Sequence, residues 1–497
     1  MIHSSWCRGV ALFLAILSIG VCCEGSAHKS PRQWAFVRLD FARDEKVDQL
    51  NAFLDRIHGL AIRAAHDDVL IEFFDVLSTC ERMSPAERSP TELARRMAAF
   101  RAAIKDYYIE NYLAFYDMLL VSDEGRVLYS LRKEIPDGRL LAEELPPESP
   151  LATCLASHPR EERFVDYHEY TPSQEPAAFF VEPVEREGQR IGWCVLQCAV
   201  NKINSIFTGS ERLGATGETF LVNTDGYMLT ESNFRGDSTI LRTRLDDRNI
   251  QAKFREGKGH RRVIDYRGFP AISSFEVYEF LGARWLIVAK VDESQIVTEH
   301  FAEHRDYYGQ HILAKLADAS PGESKPPLPP PDRKVIRVDM DEFVRATHDE
   351  ILQTLGVSTC TALVATYPGH FGYLAHISPR DRIYGANGGN LLGHVTKRIK
   401  TYDIYKCERR RVQFLIVANH TQSMPNIINR LVDEGFLLSQ ISIIYNPTSR
   451  CANVIYDYST DNVSVHWLPR QPSAGECIHH AGDAHNVGEI VKELLGG

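Results

Sequence analysis

The sequence lacks a basic stretch long enough to bind nucleic acid. Its 497 residues carry a formal net charge of −10 at pH 7, and an acidic balance disfavours contact with a phosphate backbone. The run ERRRVQ at 408–413 is short and lies beside a strand-like segment, which is typical of a solvated strand end. We therefore expect no nucleic-acid partner.

Long hydrophobic runs are also scarce. Beyond the N-terminus, no segment reaches the roughly 18 apolar residues that a membrane-spanning helix needs. The run VALFLAILSIGVCC at 10–23 has the length of a signal-peptide core and precedes a small-residue cleavage pattern ending at Ala27. We expect residues 1–27 to be an export signal, with an uncleaved anchor as the alternative. The chain is then periplasmic or secreted, or tethered to a membrane by its N-terminus.

Paired metal-ligand motifs are absent. CVLQC at 194–198 has no second ligand pair beside it, which a structural zinc site requires. The histidine-bearing segment GECIHHAGDAH at 475–485 is more typical of a flexible tail than of a metal site. We expect no metal and no cofactor. Of the 11 cysteines, three precede residue 28 and eight follow it; an oxidising compartment permits disulfides among the eight without defining their pairing.

Helical and strand patterns divide the first 300 residues. The three-and-four spacing of apolar residues from Leu50 to Leu60 predicts an amphipathic helix, and TELARRMAAFRAAIKDYYIENY predicts a second helix after a break at 83–90. Two sets of strand-like runs follow. Each set starts with a strand–turn–strand segment and ends with a tryptophan-containing strand, GWCVLQCAV or ARWLIVAKV. This layout indicates two small antiparallel-sheet modules behind a long helix.

Two of these segments carry a family resemblance. LGATGETFLVNTDGYMLTESNF at 213–234 resembles the opening of the membrane-proximal module of double Cache domains, the extracytoplasmic sensor domains of bacterial chemoreceptors and kinases. The segment at 165–203 resembles the second half of their distal module. The resemblance covers about residues 35–300. It implies two stacked PAS-like modules, about 80–205 and 206–300, and a small-molecule ligand in the distal one.

Polar residues on strands of the distal module are the candidate ligand contacts. An aspartate suits an ammonium group, an arginine binds a carboxylate through two hydrogen bonds, and tyrosines form an aromatic box around a cation. The Arg-x-Trp-Tyr signature of amino-acid-binding Cache domains is absent, and ordinary strand packing is the alternative for each residue taken singly. The candidates are Tyr129, Arg132, Asp166, Tyr167 and Tyr170.

A proline-rich segment at 316–334, containing PPLPPP, predicts an extended linker before a second domain at 335–497. That domain begins with MDEFVRATHDEILQTLG at 340–356, which we interpret as a helix ended by Gly356. Strand-like and helix-like segments then alternate. The predicted fold class is thus α+β and α/β: a long N-terminal helix, two PAS-like Cache modules and a separate layered α/β domain.

Cys360 and His376 lie in two predicted strands on either side of a Pro-Gly turn. A loop centred on Pro368 would place them directly opposite each other, whereas another loop centre would separate them. The segment resembles CheD, the bacterial chemoreceptor glutamine deamidase, whose histidine also follows its cysteine by about sixteen residues. The resemblance implies that a Cys360 thiolate attacks a carboxamide carbon, that His376 takes and returns the proton, and that Thr354 contributes.

The chain departs from the CheD pattern at three places: it has VSTC at 357–360, ANH at 418–420 and NPTSR at 446–450 where that family has glycine-containing motifs. The cysteine and histidine are alternatively two core residues, and an exported thiol can also pair with Cys407 or Cys451. Three functions therefore stay open. They are a small-molecule sensor with a CheD-like output domain, a secreted cysteine amidohydrolase regulated by its Cache region, and a soluble binding partner with an inert pair. No kinase, cyclase or methyl-accepting region is present, so a signal would pass through a membrane receptor or another signalling protein.

Overall fold

The computed structural model describes most of the chain in several ranges. They are residues 30–82, 115–318 apart from 199 and 210, 333–379, 391–403, 406–469 apart from 422, and 484–495, with a few positions between 95 and 102. The predicted export signal, most of the second predicted helix, most of the proline-rich linker and most of the histidine-bearing segment lie outside these described residues.

A 35-residue helix, α1 (Pro31–Ala65), supports the N-terminal half. Ser30 caps it: the Ser30 hydroxyl accepts a hydrogen bond from the Gln33 N–H, and the Gln33 side chain accepts one from the Ser30 N–H, which forms a capping box. Pro31 sits in the first turn, where a missing N–H costs nothing. The predicted apolar stripe is confirmed, because Leu50, Leu54, Ile57 and Leu60 are all buried.

Two antiparallel sheets pack on α1. The first has the order β2-β1-β5-β4-β3 and the second the order β6-β9-β8-β7. The C-terminal half of α1 packs on the first sheet through Leu54 and Phe180, while its N-terminal half packs on the second through Leu39 and Ala289. The strands are β1 (Phe115–Ser122), β2 (Val127–Ser130), β3 (Arg163–Tyr170), β4 (Glu175–Arg186), β5 (Gln189–Cys198), β6 (Glu218–Asn223), β7 (Lys258–Ile264), β8 (Pro270–Phe280) and β9 (Ala283–Asp292).

Shorter helices cover the two sheets and lead into the C-terminal half. Apolar residues of α8 share one core with the C-terminal domain, so this helix packs against that domain before the proline-rich segment begins. The helices are α2 (Asp68–Arg82), α3 (Leu141–Glu144), α4 (Pro150–Ala156), α5 (Val200–Thr208), α6 (Asp247–Glu256), α7 (Glu293–Glu303) and α8 (Arg305–Asp318).

The C-terminal domain has three layers. A four-stranded sheet of order β10-β12-β17-β18 packs on a six-stranded sheet of order β11-β14-β13-β15-β16-β19, and helices cover the other face of the six-stranded sheet. The elements are β10 (Lys334–Arg337), β11 (Glu342–Arg345), β12 (Glu350–Val357), β13 (Thr361–Tyr367), β14 (Phe371–Ile377), α9 (Leu391–Arg398), β15 (Gln413–Ala418), α10 (Met424–Asp433), β16 (Ile441–Tyr445), β17 (Ser449–Asp457), β18 (Asn462–Pro469), β19 (His485–Asn486) and α11 (Val487–Leu494).

The helix predicted at 340–356 is wrong, because this segment forms β11 and β12. Strand β12 is central: it pairs with β10 in parallel and with β17 in antiparallel orientation. These ladder hydrogen bonds outweigh a local helical preference. Gly356 does not end a helix; it has a φ of +69° and lies within an irregularity of the β12–β17 pairing between Thr354 and Val357.

The predicted fold class is confirmed. The chain is a mixed α+β protein with a long N-terminal helix, two modules of antiparallel sheet and a layered C-terminal domain. Among the residues that the structure describes, no helix is both long enough and apolar enough to cross a membrane.

Candidate functional site

The hairpin of β13 and β14 determines how Cys360 relates to His376. Ala362, and not Cys360, lies opposite His376, so the predicted register is wrong by two residues. The turn is centred on Gly369, whose φ of +77° suits glycine, and not on Pro368. Because strand side chains alternate, a shift of two residues keeps Cys360 on the face that carries His376. Cys360 lies just before β13 and not within a strand as predicted. The pair is therefore diagonal at the strand end, with Cβ atoms somewhat less than roughly 7–8 Å apart in typical geometry.

Thr354 orients the His376 ring. Its hydroxyl oxygen lies 2.8 Å from the Val338 carbonyl oxygen and 2.7 Å from Nδ1 of His376, and both Thr354 and His376 are buried. A carbonyl oxygen only accepts, so the hydroxyl donates to Val338 and accepts from Nδ1–H of His376. Nε2 is then the unprotonated nitrogen, and it is buried without a hydrogen-bond partner among the described residues. Burial lowers the pKa of His376, which keeps the ring neutral and Nε2 free to accept a proton.

Cys360 is a protonated thiol at rest. The residue is buried, and Sγ lies 3.8 Å from Sδ of Met340. Burial, followed by the charge of Asp341, raises the pKa of the thiol. Since Nε2 of His376 has no partner and Nδ1 bonds Thr354, the thiol and the imidazole share no hydrogen bond. The arrangement is a neutral thiol near a neutral base, with an orienting hydroxyl behind the base.

Sequence reasoning missed three residues near this pair: Met340, Asp341 and Asn419. Asp341 accepts hydrogen bonds from the N–H and hydroxyl of Ser378, each at 3.0 Å, and donates its own N–H to the His376 carbonyl at 2.7 Å. This holds the exposed Met340 next to the thiol. Asn419 follows Ala418, the register partner of Thr361, and its Oδ1 is buried without a hydrogen-bond partner in the part of the chain that the structure describes. Asn419 belongs to the ANH segment at 418–420. The departure of this segment from the CheD pattern was the only feature of the local sequence that pointed to Asn419.

The cysteines are unpaired where they are described. Among the side chains that the structure describes, Cys154, Cys194, Cys198, Cys360 and Cys451 carry free thiols. The side chain of Cys407 lies outside the described residues.

The five predicted ligand contacts do not converge on one cavity. Tyr129 and Tyr167 belong to the core that faces α1, whereas Tyr170 lies in the core on the opposite face of the sheet. The Arg132 guanidinium stacks 4.2 Å from the Tyr116 ring centroid.

Two of the candidates, Asp166 and Tyr167, already make contacts within the protein. The Tyr167 hydroxyl lies 3.5 Å from Sγ of Cys198. Asp166 accepts hydrogen bonds from the Tyr167 N–H at 2.7 Å and from Nε1 of Trp285, in the second module, at 2.9 Å. Burial raises the pKa of Asp166 to about 6. Asp166 therefore connects the two modules.

The second module contains a buried charge network that sequence reasoning missed. Lys290 pairs with Glu218 at 3.0 Å and with Asp265 at 2.6 Å. Arg267 bridges Asp265 and Asp292.

The charge network extends into the C-terminal domain. Nε of Arg410 lies 3.0 Å from Oδ2 of the fully buried Asp292. A cleft of about 370 Å³ lies beside this contact, and its walls come from the second module and from the C-terminal domain, including Phe269 and Lys492. The two halves of the chain therefore meet through an ion pair next to a cavity.

No protein-family model and no curated protein matches this chain. An extracellular ligand binding receptor from Desulfohalobium retbaense DSM5692 is 14% identical, with 51% of this chain and 40% of that chain covered and a TM-score of 0.36. The chain thus spans less than half the length of that receptor.

Two further structures are chemoreceptor ligand-binding domains. The domain of Pseudomonas fluorescens CtaA in complex with L-serine is 13% identical, with 50% of this chain and 92% of that chain covered and a TM-score of 0.33. The domain of the Pseudomonas aeruginosa PAO1 amino acid chemoreceptor PctC in complex with GABA is 15% identical, with 51% and 97% covered and a TM-score of 0.32.

Proposed function

We propose that the chain is an extracytoplasmic small-molecule sensor, with a double Cache-like region at 35–300 and a CheD-like domain at 335–497 as its output or partner-binding part. The observation that carries the proposal is the stacking of two antiparallel sheets along one helix, with the second sheet in contact with the C-terminal domain through Asp292 and Arg410. A structural change in the sheets would therefore reach the C-terminal domain directly through this contact.

Of the five predicted ligand contacts, we propose that Asp166, next to Tyr167 in the distal module, contacts the ligand. Tyr170 lies in the core on the opposite face of the sheet from Tyr129 and Tyr167, so it is not part of this proposed site. A ligand with an ammonium group would compete with Nε1 of Trp285 for the Asp166 carboxylate. Binding there would loosen the contact between the two modules. Ligand occupancy in one module would in this way change the packing of the next, which is the change that a sensor transmits.

A thermal-shift screen of small polar metabolites with the full chain tests this proposal. Asp166→Asn is the test variant, and Glu169→Gln, an exposed position on the same strand, is the matched control. We expect a ligand to raise the Tm of the wild type and of the control but not of Asp166→Asn. A ligand shift that survives in Asp166→Asn would exclude this site, and the absence of any shift would argue against the sensor.

A second candidate function is a cysteine-dependent amidohydrolase, favoured by the hydrogen bond between Thr354 and His376. In this mechanism Nε2 of His376 takes the Cys360 thiol proton, and the thiolate attacks the carbon of a primary carboxamide. The imidazolium returns the proton to the leaving nitrogen, so ammonia departs and a thioester remains. Water, deprotonated by the same Nε2, then releases the carboxylate and restores the thiol.

Alkylation of Cys360, followed by peptide mass spectrometry, tests the second function. The half-buried Cys451 serves as an internal reference thiol. We expect Cys360 to react faster than Cys451 near neutral pH and to slow at least roughly tenfold in His376→Ala, as expected when a general base is lost. If Cys360 is unreactive, or reacts equally in both proteins, the pair is structural and only the sensor proposal remains.

A further inference from the structure

Three metal-ligating side chains that neither proposed function uses meet in the first module. His58 lies on α1, Glu182 lies on β4, and Glu162 lies just before β3. Nε2 of His58 is 3.7 Å from Oε1 of Glu182 and 3.9 Å from Oε1 of Glu162. All three ligand atoms lie within 4.8 Å of one another.

Two of these three ligand atoms lack a hydrogen-bond partner among the residues that the structure describes. The separations are too long for hydrogen bonds, and Nε2 of His58 and Oε1 of Glu182 are both buried without another described partner. The Glu182 residue is only 2% exposed. An unpaired buried carboxylate oxygen is costly, so we expect a bound ion or water molecule to pair with Oε1 of Glu182.

The separations suit one cation at the centre. Zinc lies about 2.0–2.2 Å from imidazole nitrogen and carboxylate oxygen, so two ligands at a tetrahedral angle are roughly 3.4 Å apart. The distances of 3.7 and 3.9 Å need to contract by only a few tenths of an ångström. Glu162 is half-exposed on its loop, so it has the freedom to make this adjustment.

Aromatic side chains pack against the ring of His58, and a surface cleft gives an ion access to the site. The His58 ring stacks on Phe180, with centroids 5.9 Å apart, and meets the edge of Phe280 at 6.0 Å. Glu162 and Glu182 also line a surface cleft of about 440 Å³. The cleft provides access for an ion and space for a water as a further ligand.

We propose that His58, Glu162 and Glu182 bind a divalent first-row transition cation of the Zn²⁺ type, with water from the cleft completing its coordination. One imidazole and two carboxylates suit such ions, whereas Ca²⁺ requires six to eight oxygen ligands. The ion joins α1 to β4, so it stabilises the packing of the long helix on the first sheet.

Zn²⁺ and Mn²⁺ titrations of the chelator-treated full chain, with bound metal counted by mass spectrometry, test the site. The test variants are His58→Ala and Glu182→Gln. The controls are Cys194→Ser, opposite Glu182 in the sheet, and His304→Ala. His304 lies just after α7 and forms a second group with His300 and Glu303 of that helix.

We expect the wild type and both controls to bind one ion that each test variant loses. The affinity should fall by at least roughly 100-fold, because losing a direct ligand costs more than the roughly 10–100-fold that losing an outer-shell partner costs. Glu182→Gln should raise the Tm of the metal-free protein, since folding then no longer has to bury an ionisable carboxyl group, and this rise shows that the variant is folded. The proposal is overturned if neither metal binds, if Glu182→Gln binds like the wild type, or if only His304→Ala loses the ion.

Discussion

The hydrogen bonds of Thr354 allow a quantitative test of the candidate active site. Thr354→Val keeps the shape of the side chain but removes a hydroxyl that joins the Val338 carbonyl at 2.8 Å and Nδ1 of His376 at 2.7 Å. Two buried groups then lack partners, and each costs about 1–3 kcal/mol. We therefore expect the free energy of unfolding to fall by about 2–6 kcal/mol.

The same change should slow the chemistry of Cys360. Without Thr354, no hydrogen bond selects the Nδ1–H tautomer, and Nε2 of His376 is no longer held as the base. The loss of about 1.4 kcal/mol from this one bond corresponds to roughly a tenfold slower reaction. The rate of Cys360 alkylation measures this effect, and a denaturant titration measures the stability of the same samples.

Thr354→Ser is the matched control for this prediction. It keeps the hydroxyl, so it should restore most of the alkylation rate even where it loses some packing. The reasoning is refuted if Thr354→Val loses stability as expected while Cys360 reacts at the wild-type rate. In that case the hydroxyl only satisfies the Val338 carbonyl, and it does not control the base.

Three further predictions concern the fold. Burial raises the pKa of Asp117 from its usual 3.8 to about 6. Between these two pH values the folded state therefore binds more protons than the unfolded state does. The free energy of unfolding falls by about 3 kcal/mol as the pH rises from about 4 through 6. Asp117→Asn should flatten this decline in unfolding titrations. Arg410→Met leaves Asp292 with fewer partners and should cost about 1–3 kcal/mol in thermal unfolding, whereas an unchanged Tm would show that the contact between the two halves carries no energy. Gly192→Ala would place a Cβ 2.2 Å from the Phe74 ring and should cost more than about 3 kcal/mol; a wild-type denaturation midpoint would contradict the close approach.

Local patterns in the sequence determined much of the architecture. The three-and-four spacing of apolar residues such as Leu50, Leu54 and Ile57 predicts α1, because a helix presents such positions on one face. Most strands of both modules, and the strands and helices from 391 onward, follow from runs of β-branched and apolar residues between turn signals. These features are local, so a single sequence contains enough information to identify them.

Tertiary structure alone decided the pairing of distant segments. The segment at 340–356 has a helical pattern but forms strands, because β10 and β17 supply ladder partners that its own sequence does not specify. The register of Cys360 and His376 depends on a turn centred one residue later than the sequence indicates, and a pairing register changes by two residues when its centre moves by one. His58, Glu162 and Glu182 are brought together by the packing of α1 on the first sheet. No spacing along the chain encodes their 3.7 and 3.9 Å contacts, since non-local packing determines which distant side chains become neighbours.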